Sequence, residues 1–177
     1  MSTGNVTEAI TVSGDTELER LVNRSRMIGA DPELVVHGGG NTSSKTRERD
    51  HLGRERAVLR IKGSGTDLKT IGADGFPGLF LDDLLALREQ AEMSDEAMVA
   101  YLAHCMVEPG SRRPSIETLL HAFLPARFID HTHADSVLAV LDSRHGERLA
   151  EEIWGADHLV VPYAKPGFDL ARRVREL

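Results

Sequence analysis

The sequence predicts a single α/β or α+β domain, in which strands and helices are mixed without a strict alternation. Its 177 residues are about one domain's worth and suffice to bury a core. Hydrophobic residues make up 41% and charged residues 28% of the chain, as in an ordinary globular protein. Segments with helical spacing are interspersed with short β-like runs that end at glycine or proline. The order of the strands in the sheet stays open.

The first helix is predicted to follow a flexible N-terminus, residues 1–14, which is rich in small polar residues. Thr16 and Glu19 form a capping box ahead of apolar residues at helical spacing. Gly29 is the stop signal of this helix. The domain itself is expected to occupy residues 15–177.

The later elements are predicted from apolar periodicity and turn residues. They are, in chain order, a strand at 57–61, a helix capped by Ser94, a helix at 116–124, a strand at 127–133, a helix after it, a strand at 158–162 and a final helix after Pro166-Gly167. The final helix meets no glycine or proline stop, so we expect the chain to be cut short.

Composition excludes several classes of function. With 21 Lys+Arg against 28 Asp+Glu, the net charge of −7 argues against a nucleic-acid or anionic-membrane binder. No window approaches the roughly 18 consecutive apolar residues of a membrane span, and the N-terminus lacks the features of a secretory signal. The single cysteine, Cys105, is expected in the core and fits a reducing compartment, so we expect a cytoplasmic protein.

His131-Thr132-His133 is a candidate metal-binding motif. On a strand, the period of two places both imidazoles on one face, roughly 6.5–7 Å apart at Cα, where they could bind one ion. Asp130 and Asp135 could accept hydrogen bonds from the ring N–H groups. The alternative is a pair of half-buried histidines at the end of a strand.

Two glycine-rich segments could bind a small anion. Residues 38–45 (GGGNTSSK) combine glycines, which let backbone approach a ligand, with Asn, Thr and Ser donors suited to a phosphate. Residues 62–66 (KGSGT) follow a strand and offer backbone N–H groups and a hydroxyl. The alternatives are a flexible hairpin for the first segment and a plain turn for the second.

Pro114-Ser115-Ile116-Glu117 is a candidate helix start with a carboxylate in its first turn. Ser115 suits the N-cap. Glu117 could act as a general base or as an exchangeable metal ligand, or it could simply stabilise the helix. His104 and His121, on predicted helices, are expected to be packing or surface residues.

The order GGGNTS, KGSG, PSIE and HTH resembles the class II aldolase/adducin family over about residues 15–177. The resemblance is greatest to the N-terminal aldolase domain of bacterial proteins that fuse a rhamnulose-1-phosphate aldolase-like domain to a short-chain dehydrogenase. It implies a three-layer α/β/α domain with a mixed, largely antiparallel central sheet, incomplete at its C-terminus.

The resemblance also implies the site residues. Glu117 would be the catalytic acid/base, and His131 and His133 would be zinc ligands. Ile116 stands where some members have a second serine. A third zinc histidine is expected further on, and neither His145 nor His158 has the sequence context for it. The residues implied to bind the substrate phosphate are Gly40, Asn41, Ser43, Ser64, Gly65 and Ser115.

The function implied is an aldolase dependent on Zn²⁺ or another divalent metal. It would cleave a ketose 1-phosphate, rhamnulose 1-phosphate above all, to dihydroxyacetone phosphate and an aldehyde, here lactaldehyde. The alternatives are a sugar-phosphate epimerase or dehydratase on the same scaffold, or an inactive adducin-like or truncated module. NAD is expected only if a dehydrogenase domain follows. Intact family members imply a homo-oligomer, a tetramer.

Overall fold

The structure is a computed structural model that describes residues 12–176. The expectation of a flexible N-terminus therefore lies mostly outside the described residues. The helices are α1 (Glu17–Ala30), α2 (Leu81–Leu85), α3 (Asp95–His104), α4 (Thr118–Phe123), α5 (Asp135–Leu141), α6 (Gly146–Trp154) and α7 (Phe168–Arg175). The strands are β1 (Asn41–Arg49), β2 (Glu55–Ile61), β3 (Gly78–Phe80) and β4 (Phe128–His131).

The four strands form one sheet in the order β3-β2-β1-β4, and every neighbouring pair is antiparallel. The mixed α/β class is confirmed. The sheet was expected to be mixed and largely antiparallel, and its four described strands are antiparallel throughout.

Helices cover both faces of the sheet. Successive side chains of β1 point to opposite faces, so neighbouring residues contact different helices. Thr42 lies against α1, where its hydroxyl is 2.6 Å from that of Ser25. Ser43 points the other way, and its hydroxyl lies 2.7 Å from Nδ1 of His121 on α4. The smaller core cluster lies under α1 around Leu21, and the larger cluster lies on the opposite side.

The helix starts agree well with the local signals. Both reciprocal hydrogen bonds of the capping box between Thr16 and Glu19 are present at α1. The hydroxyl of Ser94 accepts from the backbone N–H of Ala97 at α3. Cys105 is buried in the larger cluster, as expected, and burial raises the pKa of its thiol to about 11.

Strand β1 was not predicted, and three of the predicted elements differ from the structure. The helix expected at 116–124 begins at Thr118, because the Ser115 hydroxyl accepts from the Glu117 N–H in a turn before the helix. The strand expected at 127–133 ends at His131. Residues 158–162 form no strand, because within the described chain no neighbouring strand pairs with them, and Leu159 is 75% exposed.

No helix within residues 12–176 is long and apolar enough to cross a membrane.

Candidate functional site

Pairing of β1 with β4 brings two of the predicted motifs together. Asn41, the first residue of β1, lies directly opposite His131, the last residue of β4. Gly40 makes this approach possible, because a Cβ there would lie 2.5 Å from the carbonyl oxygen of His131. Its φ of +64° is also a conformation that glycine adopts readily. The glycine-rich segment and the histidine motif thus meet at the paired residues Asn41 and His131.

Asn41, Glu117 and His131 form a compact polar cluster. The Asn41 amide nitrogen donates to Oε2 of Glu117 at 2.5 Å and lies 3.3 Å from Nδ1 of His131. The same Oε2 is 3.1 Å from Nδ1 of His131. The side chain of Glu117 is 14% exposed and that of His131 is 26% exposed. The carboxylate is therefore fixed from two sides and still reaches solvent.

Two opposing effects set the protonation state of Glu117. Burial raises the pKa of the carboxyl group, but the hydrogen bond and the charge of His131, together with the Asn41 amide, outweigh it. The net result is a pKa below the ordinary value of 4.5. Glu117 is consequently ionised at neutral pH, which is the state that a general base requires.

His133 lies beside His131 although it follows the end of β4. The two ring centroids are 4.8 Å apart, and the His133 backbone N–H donates to the Leu34 carbonyl at 2.9 Å. Burial, and then the charge of His131, lower the pKa of His133. The ring is therefore neutral at neutral pH, the form in which imidazole binds a metal.

Neighbouring imidazoles are of the chemical type that binds a catalytic metal. A catalytic zinc takes three protein ligands and keeps one position open. Within residues 12–176, no group of three or more His, Cys, Asp or Glu side chains is arranged to hold a metal ion. His131 and His133 are thus two suitable ligands of a set that the described chain does not complete.

Backbone pairing also joins the KGSG turn to the Pro114-Ser115 segment. Gly63 and Pro114 form an isolated antiparallel bridge, in which the Ser64 N–H donates to the Arg113 carbonyl at 2.8 Å. The Ser115 hydroxyl is 3.5 Å from the Asn41 amide nitrogen. Ser64 and Ser115 are therefore held on adjacent segments, and Ser115 lies next to the polar cluster.

Ser43 and Asp130 are not brought to this site. Ser43 is fully buried and its hydroxyl is bound to His121, so it is not available to a phosphate. Asp130 alternates with His131 on β4 and accepts from Nε of Arg24 at 2.9 Å on the α1 side. It therefore cannot orient the His131 ring.

Lys62 and His121 are buried residues near the site that the sequence analysis did not single out. Lys62 is 6% exposed and its Nζ lies 3.4 Å from the Gly38 carbonyl. Burial lowers its pKa, while the charges of Asp67 and Glu117 oppose that shift. The position of Lys62 within KGSG was the available signal, whereas His121 gave none beyond its helical context.

Two openings lie at the predicted motifs. A pocket of about 480 Å³ is lined by the Gly38 and Gly65 turns, with His37 and Asp67 at its wall. A larger groove of about 1060 Å³ reaches His131 and runs between α5 and α6. The polar cluster is thus reached from the groove at His131, while the smaller pocket lies at the glycine turns.

Comparisons with known proteins agree with this arrangement. A family model described as "Class II Aldolase and Adducin N-terminal domain" matches residues 19–177. The "Uncharacterized oxidoreductase YuxG" of Bacillus subtilis (strain 168) is 49% identical over 159 residues, which are 90% of this chain and 23% of that protein. The chain therefore spans about a quarter of the length of this relative.

A solved structure shares the fold. It is described as the N-terminal class II aldolase domain of a conserved protein from Thermoplasma acidophilum, and it superposes with a TM-score of 0.88 at 47% sequence identity. The match covers 94% of this chain and 77% of the solved chain.

Proposed function

Because the chain belongs to the class II aldolase and adducin N-terminal domain family, we propose that it is the aldolase domain of a metal-dependent lyase. The substrate proposed is a ketose 1-phosphate, rhamnulose 1-phosphate first, and the products are dihydroxyacetone phosphate and lactaldehyde. The observation that carries the proposal is the Asn41–Glu117–His131 cluster with His133 beside it. It combines an ionised carboxylate with two imidazoles in one accessible place.

Glu117 is proposed to move the proton at C3 of the dihydroxyacetone unit. In the condensation direction its carboxylate takes this proton. In cleavage the carboxylate receives, through water, the proton that the C4 hydroxyl loses as the C3–C4 bond breaks, and delivers a proton to C3. The Asn41 amide holds Oε2 in place, and His131 together with Asn41 keeps the carboxylate ionised. A divalent metal, when bound by His131, His133 and further ligands, supplies Lewis-acid stabilisation of the charge that develops on the substrate oxygens.

The glycine turns are proposed to bind the phosphate. Ser64, Gly65 and Ser115 would offer backbone N–H and hydroxyl donors, and the buried ammonium of Lys62 would add a positive charge. Gly40 shapes the loop, and Asn41 serves the carboxylate rather than the phosphate. Binding energy from the phosphate then aligns the reacting carbons with Glu117.

The oxidoreductase name of the Bacillus relative does not enter this proposal. The match covers 23% of that protein, so we propose that NAD chemistry, where present, belongs to sequence outside the matched part. We further propose a cytoplasmic protein that forms a homo-oligomer, a tetramer when intact. Light scattering of the purified chain tests the oligomeric state.

The experiment compares wild-type protein with Glu117→Gln in Zn²⁺-containing buffer, with L-rhamnulose 1-phosphate as substrate and dihydroxyacetone phosphate as the measured product. Loss of a general base predicts a fall in turnover of about 10²–10⁴-fold. Metal content should not change. Glu151→Gln, at an exposed glutamate of α6, is the matched control and should turn over as wild type does.

Wild-type turnover by Glu117→Gln would contradict the acid/base role. A product that is an epimer or a dehydrated sugar would assign the same site to a different reaction. Absence of turnover in the zinc-loaded wild-type chain would favour an inactive module, either adducin-like or truncated.

A further inference from the structure

One face of β1 is joined to the α4 segment by three successive side-chain contacts. They are, in order, Asn41 to Glu117, Ser43 to His121, and Lys45 to the main-chain carbonyl of Leu124. The first contact belongs to the polar cluster of the site. The other two contacts lie further along β1 and take no part in the proposed chemistry.

The spacing of strand and helix makes the first two contacts compatible. Two residues along a strand advance about 6.6–6.8 Å, and four residues along a helix advance about 6 Å. Asn41 and Ser43 are two apart, and Glu117 and His121 are four apart. A shift of α4 along β1 would therefore disturb both hydrogen bonds together.

The contact between Ser43 and His121 is dry and directional. Both residues are fully buried, and the Ser43 hydroxyl lies 2.7 Å from Nδ1 of His121. The other ring nitrogen, Nε2, is buried and has no hydrogen-bond partner among the described residues. Burying an unpaired polar atom is unfavourable, and an apolar side chain at this position would avoid it. Compared with an apolar side chain, the histidine therefore contributes one additional interaction, its hydrogen bond to Ser43.

His121 is also connected to Glu117 through the main chain. Its backbone N–H donates to the Glu117 carbonyl at 3.2 Å, which makes Glu117 the residue that opens α4. The His121 side chain is thus fixed to β1, and its backbone is fixed to the residue that carries the carboxylate.

We propose that Ser43 and His121 are positioning residues, whose buried hydrogen bond sets the place of α4 along β1 and so holds the Glu117 carboxylate against Asn41 and His131. The inference rests on the proposed function only for its kinetic readout. Its structural readout is the side-chain amide of Asn41, which reports the contact with Glu117 in any state of activity.

The test uses Ser43→Ala, His121→Leu and His121→Asn in the full chain. Asparagine places a polar atom where Nδ1 of the histidine lies, so it can keep the bond to Ser43. In Ser43→Ala and His121→Leu, the NMR resonances of the Asn41 side-chain amide should move toward those of an unbonded amide. The kcat for cleavage should fall about 10-fold or more with KM nearly unchanged, because the carboxylate is misplaced. His121→Asn should restore both readouts.

Thr42→Val is the matched control. It removes the buried hydrogen bond between the hydroxyls of Thr42 and Ser25, which lie 2.6 Å apart on the opposite face of the same strand. The Asn41 amide resonances should stay in place. Unchanged Asn41 resonances in Ser43→Ala, or an equal displacement in Thr42→Val, would overturn the proposal. If Ser43→Ala does not fold, the comparison of His121→Asn with His121→Leu decides in the same way. An inactive wild-type chain would count against the proposed function, while the amide resonances would still decide this inference.

Discussion

At Gly40 the backbone before β1 approaches β4 closely. A Cβ at this position would lie 2.5 Å from the His131 carbonyl oxygen and 2.8 Å from Cγ1 of Val35. Gly53 has a similar positive φ, +77°, but a Cβ there would meet nothing within 4 Å. The two glycines therefore separate the effect of backbone conformation from that of close approach.

Gly40→Ala is expected to lower the free energy of unfolding by about 3 kcal/mol or more, because it adds a backbone clash to the strain of a positive φ. Gly53→Ala should lower it by about 1 kcal/mol, from strain alone. Urea unfolding followed by circular dichroism measures both. Equal losses in the two variants would show that the approach of β1 to β4 is not tight.

His121 makes the stability of the fold depend on pH. Burial, followed by the charge of His131, lowers its pKa from 6.5 to about 4. Between these values the unfolded chain binds a proton and the folded chain does not, so stability present above pH 6.5 is lost as the pH falls toward 4. The loss is on the order of 3 kcal/mol.

Unfolding free energies measured at pH 7 and pH 5 check this expectation. The decrease between the two should be smaller in His121→Asn than in wild type, since asparagine does not titrate. His104→Asn, at an exposed histidine of α3, should show the wild-type decrease. The same decrease in all three proteins would mean that other groups dominate.

At the residue scale, the proximity of Glu117, His131 and His133 was predictable, because each stands in a short motif whose order along the chain is distinctive. Their roles as acid/base and metal ligands stay predictions. The partner of Ser43 could not be predicted. His121 lies 78 residues away, and only the packing of α4 on β1 brings the two side chains together. Sequence resemblance placed Ser43 at the phosphate, whereas the fold buries it.

At the scale of elements, the helix starts were predictable because capping is local. Thr16 and Glu19 are three residues apart, and both hydrogen bonds form within one turn. Ser94 acts in the same way at α3. Such signals need no knowledge of the rest of the molecule.

The strand β1 was missed because its sequence, NTSSKTRER, has no apolar alternation. Its first four residues are nevertheless buried. Polar side chains can occupy the centre of a sheet when they find hydrogen-bond partners. Asn41, Thr42 and Ser43 find them on β4, α1 and the α4 segment, whereas the Ser44 hydroxyl has none among the described residues. The opposite error concerns residues 158–162, an apolar run that no strand in the described chain pairs with.

At the scale of the whole molecule, metal binding should appear as added stability. A ligand that binds only the folded state raises the free energy of unfolding by about 1.4 kcal/mol at ten times its Kd. For a chain of this size the melting temperature rises by about 3–6 °C. We expect zinc to raise the Tm of wild type and not that of the double variant His131→Ala/His133→Ala.

His51→Ala/His104→Ala is the control, because both of these histidines are exposed and lie on other parts of the molecule. It should keep the zinc-dependent rise. An undiminished rise in His131→Ala/His133→Ala would place the stabilising metal elsewhere. Calorimetric scans with and without a chelator give the comparison.

The burial of Cys105 has a practical consequence for following the molecule as a whole. It is the only cysteine of the chain, it is 2% exposed, and it belongs to the larger core cluster with a pKa of about 11. A thiol reagent can therefore modify the native protein only during an opening of that core. The rate at which the Cys105 thiol is labelled therefore measures how often the core opens, without any substrate, metal or introduced probe.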